Sequence, residues 1–161
     1  MGDEVDSWPT GREEITFRET RSVLDAQQQI LTDIDNKAMR TVRLTALLIG
    51  AVLTAWNVLG GSTFQTDLLL SGGTALFTSI IIGVATYSQS RNLILGPGGK
   101  YVEQLVRNSF YGRSWNEDYL LTAAVWIDEN HSVIERNSLL LSICQGLLVL
   151  GLLLTSLAVV F

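Results

Sequence analysis

Few side chains in this sequence carry reactive chemistry, and they are scattered. His131 is the only histidine and Cys144 the only cysteine. Asp128, Glu129 and Glu135 lie near His131 in sequence, but a metal site needs several matched ligands converging on one point. A solvated or capped histidine accounts for that pattern. The acidic pairs Glu117-Asp118 and Asp128-Glu129 project at different helix angles, so no nucleophile and base are legible in them. Gly96-Pro97-Gly98-Gly99-Lys100 resembles a phosphate-cradling loop in its glycines and lysine. It lacks the full spacing, the hydroxyl residue after lysine and a preceding strand, and reads as a turn. A lone cysteine builds neither a disulfide framework nor a multi-cysteine metal site, so Cys144 reads as a small packing residue. The sequence therefore predicts no enzyme, no cofactor and no metal.

What the chain does carry is apolar length. Residues 44–59, 68–87 and 138–161 contain no Lys, Arg, Asp or Glu. A hydrocarbon core about 30 Å thick needs about 17–25 mainly apolar helical residues. The first stretch is short, and must borrow from residues 41–43 or 60–62. Six of the eleven basic residues (Arg12, Arg18, Arg21, Lys37, Arg40, Arg43) precede the first stretch, and the other five lie between the second and third. The positive-inside rule then predicts a multi-pass protein of the cell membrane, with its N-terminus cytoplasmic and its C-terminus outside. The fold class expected is an all-α membrane protein: three transmembrane helices with a cytosolic helical layer.

Composition narrows the partners. The chain is acidic, with net charge −5, yet fifteen of its sixteen carboxylates share the cytosolic side with every basic residue. Such a mixed face is not the basic footprint of a nucleic-acid binder. Lys37, Arg40 and Arg43 recur every three residues at the mouth of the first span, where each gains about 1 kcal/mol from anionic headgroups. Membrane lipids are thus expected partners, and nucleic acid is not.

The polar parts divide into a disordered tail (1–12), an amphipathic helix (13–43) and a helical segment (88–137) around a transmembrane hairpin (44–87) and a last span (138–161). In the first helix Phe17, Leu24, Leu31 and Ala38 recur every seven residues, with Val23, Ile30 and Ile34 beside them. That stripe is too narrow to require a coiled coil, and packing against the other cytosolic helices serves it equally. The second span should continue as helix through 88–95 until the 96–99 turn breaks it. A short amphipathic helix with Tyr101, Leu105, Val106 and Phe110 on one side should follow. Ser114 with Glu117 has the spacing of a capping box, so a further helix is predicted from Trp115, running without a breaker into the last span. Its apolar face includes Tyr119, Leu120, Ala123, Trp126 and Ile127.

Small residues recur at four-residue spacing in every span: Ala46, Gly50 and Thr54; Ala75, Ser79 and Gly83; Ser142 and Gly146. Such rows let helix backbones approach closely in lipid. Ordinary intrachain packing explains them; the sharper expectation is that Gly72, Gly73, Ser79 and Gly83 make the contact of a homo-oligomer. Asn57 and Gln145 are the only amides within the spans and are expected to bond across helix interfaces. With no intramembrane charge, a proton relay or voltage sensor has no basis.

The order of parts is distinctive: an amphipathic helix ending in Asp35-Asn36-Lys37-Ala38, a tight membrane hairpin, a helical stretch with Tyr119, Ile127 and Asn130, and a last span. Over residues 17–161 it resembles the transmembrane effector module of Pycsar-type anti-phage systems. It is more distantly similar to the two-helix membrane effectors of nucleotide-second-messenger systems. In that family an acid-x-Lys-Ala step leads into the first membrane helix, here Asp35, Lys37 and Ala38. The helix before the last span carries an Asn followed by a basic residue, matched by Asn130 and Arg136. The resemblance implies an effector that impairs the membrane when a cyclic pyrimidine nucleotide appears. Family designs often include a nucleotide-sensing domain; this chain has no room for one, which implies a nucleotide-sensing or other cytosolic protein partner. Two other readings stand beside it. One is a scaffold recruiting a cytosolic partner through 115–135; the other is a small oligomeric channel, for which Thr54, Asn57, Ser79, Thr86, Ser142, Gln145 and Thr155 are the polar lining available.

Overall fold

The structure is a computed structural model, described here for residues 11–60, 64–89, 94, 103 and 115–160. These residues form three helices and, among them, no strand: α1 (Arg12–Leu59), α2 (Thr66–Gln89) and α3 (Trp115–Val160). Each contains a stretch long and apolar enough to cross a membrane, as a multi-pass membrane protein requires. The fold class is therefore as the apolar spacing predicts. The N-terminal tail, the 96–99 turn and Ser114 of the capping box lie outside the described residues, as does the 100–110 helix apart from Glu103, which is helical.

α1 runs unbroken because nothing in it interrupts a helix before Gly60, whose φ of 81° ends it. Residues 41–43 are helical and continuous with the first apolar stretch, Gly60 is not helical, and residues 61–62 lie outside the described residues. α3 likewise passes through Glu135 and Arg136 without a break. At the other end of α1, Arg18 pairs with Glu14 one turn before it. Both side chains face solvent, so the pair adds only a few tenths of a kcal/mol, about 0.2–0.5.

The chain divides into two compact units. The polar unit comprises residues 1–30 and 92–134. Its core is Leu24, Ala123 and Trp126, with Tyr119, Ile127 and Ile94 packed on it. Phe17 meets Tyr119 at a ring separation of 5.4 Å, and Tyr119 meets Trp126 edge-on at 6.0 Å. Phe17 and Leu24 of the heptad stripe are thus partnered by α3, while Val23 and Ile30 beside the stripe are exposed. The side chain of Trp115, expected in the same layer, lies outside the described set.

The span unit comprises residues 31–91 and 135–161. Here α2 and α3 come close enough that any larger residue would force them apart. A Cβ added at Gly72 would sit 2.7 Å from Thr155 Cγ2 and 3.0 Å from the Gly151 carbonyl oxygen; one at Gly151 would sit 2.7 Å from Leu76 Cγ. The two residues before α2 are held as well: Gln65 N–H donates to Ala158 O at 3.0 Å, and the ring of buried Phe64 lies 5.4 Å from that of Trp56.

Candidate functional site

Two polar arrangements stand out, one in each unit. In the span unit the hydroxyls mostly turn back on their own helices. Thr45 donates to Thr41 O, Thr54 to Gly50 O, Thr78 to Thr74 O, Thr86 to Ile82 O and Thr155 to Gly151 O, at 2.8–2.9 Å. That satisfies a hydroxyl where lipid offers no partner. Ser79 is different. Its Oγ donates to Cys144 O at 2.8 Å, and Cys144 Sγ donates to Ser79 O at 3.2 Å, both residues fully buried. Each side chain bonds the other helix's backbone, which makes the pair a lock between α2 and α3 rather than a nucleophile and its base. Packing alone was expected of Cys144, and its cross-helix bond is a finding of the fold.

The polar unit holds a clasp. Asn130 is 1% exposed; its Nδ2 donates to Ile94 O at 3.0 Å and its Oδ1 accepts from Ile94 N–H at 3.0 Å. Ile94 is not helical. Of the helix expected through 88–95, Ser88 and Gln89 are helical, Ile94 is not, and 90–93 and 95 lie outside the described residues; the Asn130 amide bonds both backbone groups of Ile94, and the Ile94 side chain packs on the core of Leu24, Ala123 and Trp126. Gln27 adds a second amide, its Nε2 donating to Ile127 O at 3.0 Å.

The residues carried by the family resemblance are divided between these units. Asp35, Lys37, Ala38 and Arg136 belong to the span unit and Asn130 to the polar unit. Ala38 is fully buried, and its carbonyl oxygen faces Gly83; Lys37 and Arg136 are exposed, and Asp35 is half-buried. The basic row Lys37, Arg40, Arg43 faces outward.

Three of the four small residues expected to join two chains are closed by their own chain. Gly72 and Ser79 face α3, and a Cβ at Gly83 would lie 2.5 Å from Val42 Cγ2 and 3.2 Å from Cys144 Sγ. The reason is geometric: the least bulky face of α2 is also the one that lets α3 approach most closely. Gly73 remains open, as do Gly50 and Gly146, with nothing within 4 Å of where a Cβ would stand. The span amides do not bridge helices in the way expected. Asn57 donates to Leu53 O of its own helix at 3.1 Å, and Gln145 is exposed.

An open apolar groove of about 580 Å³ lies between α1 and α2 and is walled by Ile49, Trp56, Leu69 and Phe77, with Gly73 among its lining. Its chemistry suits hydrocarbon rather than a polar ligand. Among the described residues no three His, Cys, Asp or Glu side chains gather into a metal-binding group. Asn137 and Gln27 carry buried amide atoms with no bonding partner. Sequence reading passed over Asn137, although its place seven residues after Asn130 and seven before Cys144 sets all three on one helix face. Compared with family models, curated proteins and solved structures, the chain matches none of them.

Proposed function

We propose that this chain is a non-enzymatic, membrane-impairing effector of anti-phage defence, whose spans repack in a homo-oligomer when a signal or partner alters the polar unit. The observation that carries the reading is the continuity of α1 and α3. Each runs without a break from a charged, partly solvated segment into an apolar span. A change at the Asn130 clasp or the Trp126 core therefore has two covalent helical routes into the membrane. The one-sided basic residues support a cytoplasmic polar unit and a C-terminus outside the cell membrane. A nucleotide-sensing protein partner would supply the signal that the Pycsar-like pattern implies. The open glycines Gly50, Gly73 and Gly146 are where second copies would approach.

Inducing the chain, alone and with its genomic neighbours, while following membrane potential with a voltage-sensitive dye tests this. Depolarisation is expected. Asp35→Ala with Lys37→Ala should relieve it at unchanged membrane insertion. A steady potential under every condition, infection included, rejects the effector. The scaffold reading would then lead, because Leu121 and Val125 leave an apolar strip of α3 exposed at 48% and 55%. A channel is less favoured, since Thr54, Asn57, Ser142 and Thr155 direct their polar groups to their own helices.

A further inference from the structure

Asn137 is completely enclosed, at 0% exposure, and neither Nδ2 nor Oδ1 of its amide has a partner. Its buried polar neighbours in the span unit are all provided for. Thr45, Thr86 and Thr155 bond carbonyls of their own helices, and Ser79 bonds across to α3. One and two turns further along α3, the same face carries buried Leu141 and then Cys144, which is bonded to Ser79. Asn137 thus shares a helix face with Cys144, two turns before it, and it is the buried position on that face whose polarity goes unanswered.

An amide offers two N–H donors and a carbonyl. Enclosed without partners, those groups raise the free energy of the packing around them, and the penalty grows as the surroundings become less polar. A chain that needed only one stable arrangement of its spans would be better served by leucine here, which branches in the same way and asks for no bonds. We propose that Asn137 is a destabilising pin: it holds the resting packing of the span unit near its limit, and its amide becomes paired only when α3 leaves that packing. The pinning step stands on the buried amide alone. The triggering step rests on the effector reading and adds to it the residue that poises the switch.

The test uses full-length protein in detergent or nanodiscs, comparing melting temperatures of wild type, Asn137→Leu, Asn137→Ala and, as a control, Leu141→Ala. Asn137→Leu should melt about 2–4 °C higher. Asn137→Ala should stay at or near the wild-type value, whereas Leu141→Ala should fall well below it. If the larger leucine does not fit, Asn137→Ala still decides: a fall as large as that of Leu141→Ala means that the amide supports the packing, and overturns the pin. In cells, Asn137→Leu at equal membrane abundance should depolarise more slowly than wild type; equal kinetics overturn the triggering step. If wild type itself never depolarises cells, the effector reading fails while the order of melting temperatures still decides the pin.

Discussion

Ser79 and Cys144 bind each other's backbones in both directions, hydroxyl to carbonyl at 2.8 Å and thiol to carbonyl at 3.2 Å. Two weak side-chain bonds of this kind fix one register between α2 and α3, since sliding either helix by a residue would break both. Polar bonds between membrane helices are worth about 0.6 kcal/mol on average and up to about 1.7. Ser79→Ala should therefore cost close to that range, and Cys144→Ala less, because a thiol is the weaker donor. The double variant should cost measurably less than the sum of the two. A double-mutant cycle by reversible unfolding in micelles, returning strict additivity, would remove the lock.

Adjacent glycines in α2 should behave in opposite ways. At Gly72 a methyl group meets Thr155 Cγ2 at 2.7 Å and backbone atoms of α3 at 3.0 Å; at Gly73 it meets nothing. Gly72→Ala must push α3 away and should cost about 1–3 kcal/mol. In the monomer, Gly73→Ala should be neutral or stabilising by up to about 1 kcal/mol through helix propensity. Thermal melting of the two variants side by side checks this, and equal losses would show that the close approach is not where the structure has it.

The three spans and the long helices were legible because they depend on composition and on the absence of breakers, both visible residue by residue. So was the stripe of Phe17, Leu24, Leu31 and Ala38, because a seven-residue spacing survives whatever packs against it. What could not be read was which neighbour answers which residue. Gly72, Ser79 and Gly83 announce a close approach without saying whether α3 or a second chain approaches. Ile94 sits in a stretch that reads as helix, yet it is not helical and both its backbone groups bond the Asn130 amide, thirty-six residues on. Asn137 has a polar side chain beside an apolar run, which in sequence looks like an ordinary membrane-surface residue; its enclosure is a property of the packed unit.

Trp126 should be the most sensitive position of the polar unit. It is 7% exposed, lies in the core with Leu24 and Ala123, and receives the edge of Tyr119. Trp126→Ala should cost about 3–5 kcal/mol. Phe17→Ala should cost less, because Phe17 is half-buried and Tyr119 is its ring partner. Melting curves that leave Trp126→Ala unchanged would mean that α1 and α3 do not pack through this core.

The Asn130 clasp makes the most local prediction. Ile94 has both backbone groups bonded to one side chain, so Asn130→Ala leaves an N–H and a C=O without partners in partly buried surroundings. Each such group costs about 1–3 kcal/mol when water cannot reach it. Opening the segment to water is the cheaper outcome, and the variant should therefore release Ile94 rather than unfold the unit. Hydrogen exchange resolves the two: the Ile94 amide should be protected in wild type and exchange freely in Asn130→Ala, while the amides around Trp126 keep most of their protection. Asn130→Asp separates the two bonds, since a carboxylate still accepts from Ile94 N–H but cannot donate to Ile94 O. It should leave the amide partly protected, and protection equal to wild type in both variants would show that something other than Asn130 holds Ile94 in place.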